Sequence, residues 1–177
     1  IKDSYYDVTQ NILTNSFTVG SVIKGASHTV SYQNNLIEVG KKINDSCVKL
    51  YQVPTKCSYK KLGYIDDITA LKTSSNYYQF INAIKLTGQK YKYNMQLNAS
   101  KEHFDIYRNT FKDFGLGSST GIDLEKESTG IKGQTIAADL LLNYSIGQYD
   151  TYTPIQLTNY INTIATNGKR YSLHYLK

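Results

Sequence analysis

Helical periodicity over most of the chain constrains the fold more than any other feature of this sequence. Five segments place apolar residues at the spacing of one helix face or form a continuous apolar run. These segments are residues 21–33, 76–88, 100–114, 135–144 and 153–168. A chain of 177 residues is long enough for one domain with a sizeable core. We therefore predict a single, mainly helical domain over residues 1–177, of the mixed α/β (α+β) class.

The final helix carries the most complete set of boundary signals. Thr153 is a good N-cap, Pro154 suits the first helical position, and Gly168 can follow the last turn. The predicted buried stripe of this helix consists of Ile155, Tyr160, Ile161, Ile164 and Ala165. Residues 43–60, in contrast, read as extended, with a turn near Pro54. One extended segment is too little to cover so many helices, so we expect the sheet of this domain to be incomplete.

A Ser-x-x-Lys pattern at Ser21 and Lys24 is the clearest candidate for chemistry. On a helix these side chains lie on one face, one turn apart. A helix N-terminus favours developing negative charge, and a desolvated lysine can accept the serine proton. The preceding Gly20 permits a tight entry into the turn. The pattern thus predicts a nucleophile and its base, and the alternative from these residues alone is that Ser21 only caps a helix.

The same pattern occurs twice more, at Ser46 with Lys49 and at Ser58 with Lys61. Both copies fall in the extended segment, where residues three apart point to opposite sides of the backbone. The local context therefore favours Ser21 as the functional copy.

The charge of the chain bears on its partners. The net charge is +6 and the sequence pI about 9.1. Arginine occurs only at Arg108 and Arg170 and the lysines are scattered, so the basic stripe typical of nucleic-acid binding is missing. We expect no nucleic-acid partner. No stretch approaches the roughly 18 apolar residues of a membrane span. The sequence does not begin with Met, and we expect it to be part of a longer protein.

The two cysteines leave three possibilities open: free thiols, a disulfide or a metal site. Asp45 and Cys47 share one face of an extended segment, and Cys57 comes opposite Cys47 if the chain reverses between them. With His28 from the preceding helix, two thiolates, an imidazole and a carboxylate would fill a tetrahedral zinc site. The spacing matches no standard zinc signature. A structural zinc at these four residues is thus one alternative, and serine chemistry itself requires no cofactor.

Four segments in a fixed order extend the Ser-x-x-Lys pattern. The first surrounds Ser21, and the second contains the sequence Ser74-Ser75-Asn76. The segments are Phe17–Ala26; Ala70–Asn76; Phe114–Leu124 with Glu127 and Gly130; and Ser145–Gln148, continued by Thr153–Leu157 and Ala165–Gly168. Together they resemble the transpeptidase domain of penicillin-binding proteins. The resemblance is strongest to the class B, monofunctional, elongation-type enzymes of Gram-positive bacteria.

This resemblance implies the fold shared by penicillin-binding transpeptidases and serine β-lactamases, of which the chain would hold mostly the helical part. It implies a serine D,D-transpeptidase that cross-links peptidoglycan stem peptides through an acyl-enzyme and is acylated by β-lactams. The implied partners are stem peptides ending in D-Ala-D-Ala, β-lactams, and proteins of an elongation or division complex. The implied location is the extracytoplasmic face of the bacterial plasma membrane, with an anchor helix upstream.

The motifs also carry roles for individual residues. The resemblance implies that Ser21 is the nucleophile and Lys24 its base, while Ser74 relays a proton to the leaving nitrogen. Asn76 is implied to bind Lys24 and the substrate amide, and the Ser21 N–H to form half of the oxyanion hole. The implied substrate-binding positions are Ser75, Gly147 and Gln148. For Ser74 and Asn76 the residues alone leave simple helix capping open.

The sequence departs from the family pattern in two places. Val19 stands where the family commonly has proline. The family's third motif, Lys-Thr-Gly or Lys-Ser-Gly on a core strand, does not occur in the sequence. We therefore expect the remaining C-terminal part of the same domain to be a necessary partner. Rival interpretations are a class D β-lactamase or β-lactam sensor domain, and a non-catalytic module of a cell-wall complex with this fold.

Overall fold

A computed structural model describes residues 9–175 of the chain, and helices dominate it. The elements are α1 Thr9–Thr14, a 3₁₀ helix Gly20–Ile23, α2 Lys24–Gln33, β1 Ile43–Asn44, β2 Cys47–Val48, β3 Lys56–Cys57, β4 Tyr64–Ile65, α3 Asp67–Lys72, α4 Asn76–Leu86, α5 Lys101–Asp113, α6 Ala138–Ser145 and α7 Pro154–Ala165. None of the helices among residues 9–175 is long and apolar enough to cross a membrane. The predicted helical segments are confirmed.

Side-chain caps explain where the helices begin. The Asp66 carboxylate accepts the Thr69 N–H at the start of α3. Thr153 and Gln156 form a reciprocal capping box at the start of α7, with Pro154 in the first turn. Such caps satisfy backbone N–H groups that have no partner inside the helix. The predicted start of the last helix is therefore confirmed.

The core lies between α2, α4, α5 and α6. Helix α2 contacts α4 and α5, and α6 contacts the same two helices from the other side. On α5, Phe104, Tyr107 and Phe111 recur at helix spacing and are buried, and their rings meet Tyr144 of α6. Each such ring contributes roughly 1.5–3 kcal/mol on burial. This aromatic cluster fixes the helices on which the candidate site is built.

The buried face of α7 differs from the predicted stripe. Ile161 and Ile164 are 50% and 46% exposed. Ala165 is exposed as well, and of the predicted stripe Tyr160 is buried; the other residues that face the core are Gln156, Asn159 and Thr163. Hydrogen bonds make this polar face possible, since the Gln156 side chain donates to the Ser118 carbonyl at 2.8 Å. The prediction that Ile161 and Ile164 are buried is wrong for this reason.

The strands in residues 9–175 form two small antiparallel ladders, and two isolated bridges join Phe17 to Tyr152 and Leu50 to Met95. β1 pairs with β4, and β2 pairs with β3 in a register that sets Cys47 opposite Cys57. Gln52, between β2 and β3, has a left-handed backbone with φ 57°. The chain thus reverses between the cysteines, as the sequence indicated, and this short hairpin lies beside the N-terminus of α4.

A buried ion pair anchors the loop between α6 and α7. Arg108 of α5 donates to both carboxylate oxygens of Asp150, at 2.9 and 3.0 Å. The Gly133 N–H donates to the same carboxylate at 2.8 Å. Bidentate pairs of this kind are among the stronger polar contacts in proteins. The ion pair therefore fixes the loop that follows α6 to α5.

Candidate active site

Ser21 lies in the 3₁₀ turn that leads into α2. Gly20 opens the turn with a left-handed backbone, φ 58°, and the Lys24 N–H donates to the Ser21 carbonyl. In a 3₁₀ helix, residues three apart are eclipsed, so the Ser21 and Lys24 side chains project on the same side. Ser21 is exposed, whereas Lys24 is 1% exposed. An exposed serine is thus followed, one turn later, by a buried lysine.

Ser21 is not a helix cap. The N-cap of the 3₁₀ helix is Val19, and that of α2 is Ile23. Neither position makes a side-chain cap hydrogen bond. The capping alternative is therefore wrong, and the hydroxyl is not engaged in holding the helix end.

The loop after α6 supports the Ser21 turn through backbone contacts. The Gly20 N–H donates to the Gly147 carbonyl at 2.9 Å, and Phe17 and Tyr152 exchange two backbone hydrogen bonds of 3.0 Å. Gly147 has φ 78°, and a Cβ there would lie 2.2 Å from the Gly20 carbonyl oxygen. Only a glycine at position 147 allows the two backbones to approach this closely.

We expect Gly147→Ala to displace the Ser21 turn and to destabilise the fold by about 3 kcal/mol or more, because a backbone clash adds to an unfavourable φ. Gly88 is the matched control: it has φ 75° with open space around its Cα, so Gly88→Ala should cost only about 1 kcal/mol. Urea unfolding of both variants measures the difference. Equal losses of stability would contradict the proposed clash.

Tyr160 of α7 is inserted into the backbone of the helix that follows Ser21. The phenol oxygen accepts the Ala26 N–H at 3.2 Å and donates to the Val22 carbonyl at 3.1 Å. These two backbone groups are four residues apart and would bond each other directly in a regular α-helix. A Cβ at Gly25 would lie 2.6 Å from the phenol oxygen, which explains the glycine. Burial raises the pKa of Tyr160, so the phenol keeps its proton.

The Lys24 amine is held by three acceptors. Nζ donates to the Ser74 carbonyl at 2.8 Å, to Ser74 Oγ at 3.0 Å and to Asn76 Oδ1 at 2.6 Å. Burial lowers the pKa of Lys24 to about 8, and the nearby Asp45 carboxylate opposes that change by stabilising the ammonium. A substantial fraction of neutral amine near pH 8 is what a general base requires.

Ser74 reaches Lys24 because of an unusual backbone conformation. It has φ 55° directly after α3, where its N–H donates to Leu71 and the Ser75 N–H donates to Ala70. This is the Schellman pattern of helix ends, whose left-handed position is normally glycine. A non-glycine residue there costs on the order of 1–3 kcal/mol. The backbone thus places both oxygens of Ser74 on Lys24 at a cost in stability.

Asn76 is oriented by contacts at both ends of its amide. Its oxygen accepts from Lys24, while its Nδ2 donates to the Cys57 carbonyl at 3.3 Å. The N-cap of α4 is Ser75, which accepts the Tyr78 N–H. Neither Ser74 nor Asn76 is that cap. Ser74 does take part in the C-terminal capping of α3 through its backbone, but both residues also bind Lys24, so simple capping does not describe either of them.

The predicted substrate-binding residues have different positions. Ser75 is 0% exposed and its hydroxyl donates to Asp45 at 2.6 Å, so its contact with substrate stays a prediction. Gly147 lies in the buried wall behind the Ser21 turn. Gln148, next to it, is exposed. The substrate contacts of Gly147 and Gln148 stay predictions.

The predicted zinc site is wrong, because a disulfide joins Cys47 and Cys57 and leaves no thiolate to bind metal. The free-thiol alternative is wrong for the same reason. His28 is turned to Gln79 and to the Asp67 carbonyl, 2.6 and 3.2 Å from its ring nitrogens. Within residues 9–175, no group of three or more His, Cys, Asp or Glu side chains is arranged to hold a metal ion.

Ser58 supports the site in a way that the sequence did not indicate. Its Oγ accepts the N–H groups of Asn76 and Tyr77, at 3.1 and 3.2 Å, and donates to Asp45 at 2.8 Å. In the sequence, Ser58 is only a non-functional copy of Ser-x-x-Lys with Lys61. The one available signal was its position next to Cys57, which pairing brings opposite Cys47.

Comparison with known proteins agrees with this geometry. The family described as penicillin binding protein transpeptidase domain matches residues 2–177. Penicillin-binding protein 2A of Bacillus subtilis is 39% identical over 165 residues, which cover 93% of this chain and 23% of that protein. The structure of penicillin-binding protein 2B from Streptococcus pneumoniae matches with a TM-score of 0.88 and 35% identity, over 94% of this chain and 28% of that one.

A more distant structure shows the same fold. The complex between penicillin-binding protein 2 and MreC from Helicobacter pylori matches with a TM-score of 0.79 at 21% identity, over 98% of this chain and 32% of that one. The chain spans 22–24% of the length of the curated relatives it matches. The predicted transpeptidase fold is confirmed by the solved relatives. The chain belongs to the family of penicillin-binding protein transpeptidase domains, a family of peptidoglycan synthesis enzymes.

Proposed function

We propose that this chain carries the nucleophile and general base of a serine D,D-transpeptidase that cross-links peptidoglycan stem peptides. One observation carries the proposal: a buried lysine, whose amine is held by Ser74 and Asn76, follows the exposed residue Ser21 by one turn. A nucleophile, a base of lowered pKa and an oriented second hydroxyl are the groups that acyl transfer needs.

In the proposed acylation, neutral Lys24 takes the proton of Ser21 Oγ as that oxygen bonds to the carbonyl carbon of the penultimate D-alanine. The Ser21 N–H donates to the oxygen that becomes negative, a contribution that is large in most acyl-transfer enzymes. The C–N bond to the terminal D-alanine then breaks. The acyl group stays on Ser21 until an amine of a second stem peptide displaces it.

The number of donors and acceptors around the Lys24 amine supports Ser74 as the proton relay. A protonated lysine has three N–H donors, and Lys24 has three acceptors. A neutral amine has a lone pair in place of one donor. Of the three acceptors only the Ser74 hydroxyl can turn its own proton toward that lone pair, because the carbonyl and the Asn76 amide oxygen have none to give. Ser74 can thus pass a proton between Lys24 and the leaving nitrogen.

β-Lactams are proposed ligands of the same site. Attack by Ser21 on the ring carbonyl opens the cyclic amide, but the departing nitrogen stays attached to the acyl group. The leaving group therefore does not diffuse away, and the acyl-enzyme is long-lived. A persistent adduct distinguishes this function from that of a β-lactamase, which hydrolyses the ester rapidly.

The setting of the chain is part of the proposal. The remaining C-terminal part of the transpeptidase domain would supply the Lys-Thr-Gly motif that this sequence lacks and complete the oxyanion hole. The disulfide supports an extracytoplasmic location, because disulfides persist in oxidising compartments. An upstream membrane anchor belongs to the same proposal. The fold shared with the complex between penicillin-binding protein 2 and MreC supports partners in an elongation or division complex.

We expect the acylation rate to follow the protonation of Lys24. The base is the neutral amine, so below the pKa of Lys24, about 8, the rate should fall by about tenfold per pH unit. Above that pH the rate should level off. Second-order rate constants for a fluorescent penicillin between pH 5.5 and 9.5 measure this profile. A rate that is constant from pH 6 to 9 would exclude Lys24 as the titrating base.

The function is tested by incubating the full-length protein with a fluorescent penicillin, reading its intact mass and mapping the labelled peptide. We expect one adduct, on the peptide that contains Ser21, with a lifetime far longer than the time needed to form it. Rapid loss of the adduct would indicate a β-lactamase. The absence of any adduct from the full-length protein would indicate a non-catalytic module.

A further inference from the structure

Asp45 is a buried carboxylate outside the recognised motifs, 7% exposed, between β1 and β2. One of its oxygens, Oδ2, accepts hydrogen bonds from two hydroxyls: Ser58 at 2.8 Å and Ser75 at 2.6 Å. A carboxylate oxygen accepts, so both hydroxyls donate to it. Their lone pairs are thereby left to face the backbone of α4.

Those lone pairs cap the helix that begins with Asn76. Ser58 Oγ accepts the N–H groups of Asn76 and Tyr77, and Ser75 Oγ accepts that of Tyr78 at 3.0 Å. Three of the first four N–H groups of an α-helix, which have no partner inside it, are therefore satisfied through one carboxylate. The negative charge also suits the positive end of the helix.

The same hairpin orients the Asn76 side chain. The Cys57 carbonyl accepts from Asn76 Nδ2, which leaves Oδ1 facing Lys24. Cys57 is bonded to Cys47, and Ser58 follows it directly. The backbone and the side chain of Asn76 are thus both fixed by residues 45–58, an element that contains no residue assigned to the reaction.

We infer that Asp45 is a positioning residue for acylation: through Ser58 and Ser75 it fixes the start of α4, and so holds the Asn76 amide against Lys24. The inference rests on the proposed function, and it adds Asp45 to the polar groups that support Ser21, Lys24 and Asn76. Asp45 does not touch the reacting atoms, because it is buried behind the two serines.

Asp45 also acts on Lys24 through its charge. The Asp45 carboxylate is the charged group that acts on the Lys24 amine, while His28, on the next turn of α2, contacts the Lys24 backbone carbonyl at 3.1 Å. Burial lowers the pKa of His28, so the imidazole is neutral where Lys24 titrates. Asp45 is then the charged group whose removal should be seen in the titration of Lys24.

The test compares Asp45→Asn and Ser58→Ala in the full-length protein with Asp66→Asn, which removes a helix-capping carboxylate from α3 instead. Two measurements are made on each: the pH profile of penicillin acylation, and the titration of Lys24 by NMR with ¹³C-labelled lysine. Urea unfolding establishes that each variant is folded. The NMR titration does not require acylation and so does not depend on the proposed function.

We expect Asp45→Asn to move the midpoint of Lys24 to lower pH by roughly one unit, since a neighbouring opposite charge is lost. Ser58→Ala should keep the midpoint but acylate about tenfold more slowly, because two capped N–H groups lose their acceptor. Asp66→Asn should change neither. An unmoved midpoint in Asp45→Asn, or full-rate acylation by Ser58→Ala, would overturn the inference. If the unsubstituted protein were not acylated at all, the proposed function would be refuted instead.

Discussion

Ser21→Ala is expected to abolish covalent labelling by penicillin while leaving the fold intact. The substitution removes the oxygen that forms the ester, and no other group in the site replaces it. Labelling should fall to less than roughly one thousandth of the original rate, as expected for loss of a nucleophile. Ser21 is exposed and caps neither adjoining helix, so urea unfolding should be nearly unchanged. Intact mass after incubation with a fluorescent penicillin measures the result.

The matched control is Ser46→Ala, which changes the serine of another Ser-x-x-Lys copy. Ser46 is also exposed, and we expect this variant to label at the original rate. An adduct of unchanged mass and yield on Ser21→Ala would show that a different residue is acylated, and the assignment of the nucleophile would have to be abandoned.

Lys24→Met is expected to slow acylation by about a thousandfold, the usual contribution of a general base. Methionine keeps the length of the aliphatic chain and so fills the buried space, while it removes the amine that accepts the Ser21 proton. The rate that is left should no longer rise between pH 6 and 9, because the titrating group is gone. Labelling with a fluorescent penicillin, quenched at several times at each pH, measures the acylation rate and its pH dependence.

Lys61→Met serves as the control, since Lys61 is exposed and belongs to a Ser-x-x-Lys copy outside the site. It should keep both the rate and the pH profile. If Lys24→Met kept the original pH profile at a lower rate, the amine would only orient Ser21 and another group would act as the base.

The sequence predicted the helices and the reactive pair because both depend on local signals. Thr153 and Pro154 indicate the start of the last helix, because an N-cap and a proline in the first turn need no tertiary contact. Ser21 and Lys24 are brought together by the geometry of one turn. The order of the four motifs then indicated that Ser74 and Asn76 would join them, and the structure places both on the Lys24 amine.

Features that depend on long-range packing were not predictable in this way. The left-handed conformation of Ser74 contradicts local preference; it closes the end of α3 and places both oxygens of Ser74 on Lys24. The disulfide was one of three open alternatives, since spacing alone does not distinguish thiols from a metal site. Ile161 and Ile164 were placed in the core by apolar periodicity, but the hydrogen bonds of Gln156 turn the opposite face inward.

The phenol of Tyr160 has a mechanical consequence for the nucleophile. Its oxygen bridges the Val22 carbonyl and the Ala26 N–H, so this step of the helical ladder runs through a residue of another helix. A displacement of α7 would therefore be transmitted through these two hydrogen bonds to the turn that carries Ser21. The position of the nucleophile is thus coupled to α7, a helix that contributes no group assigned to the reaction.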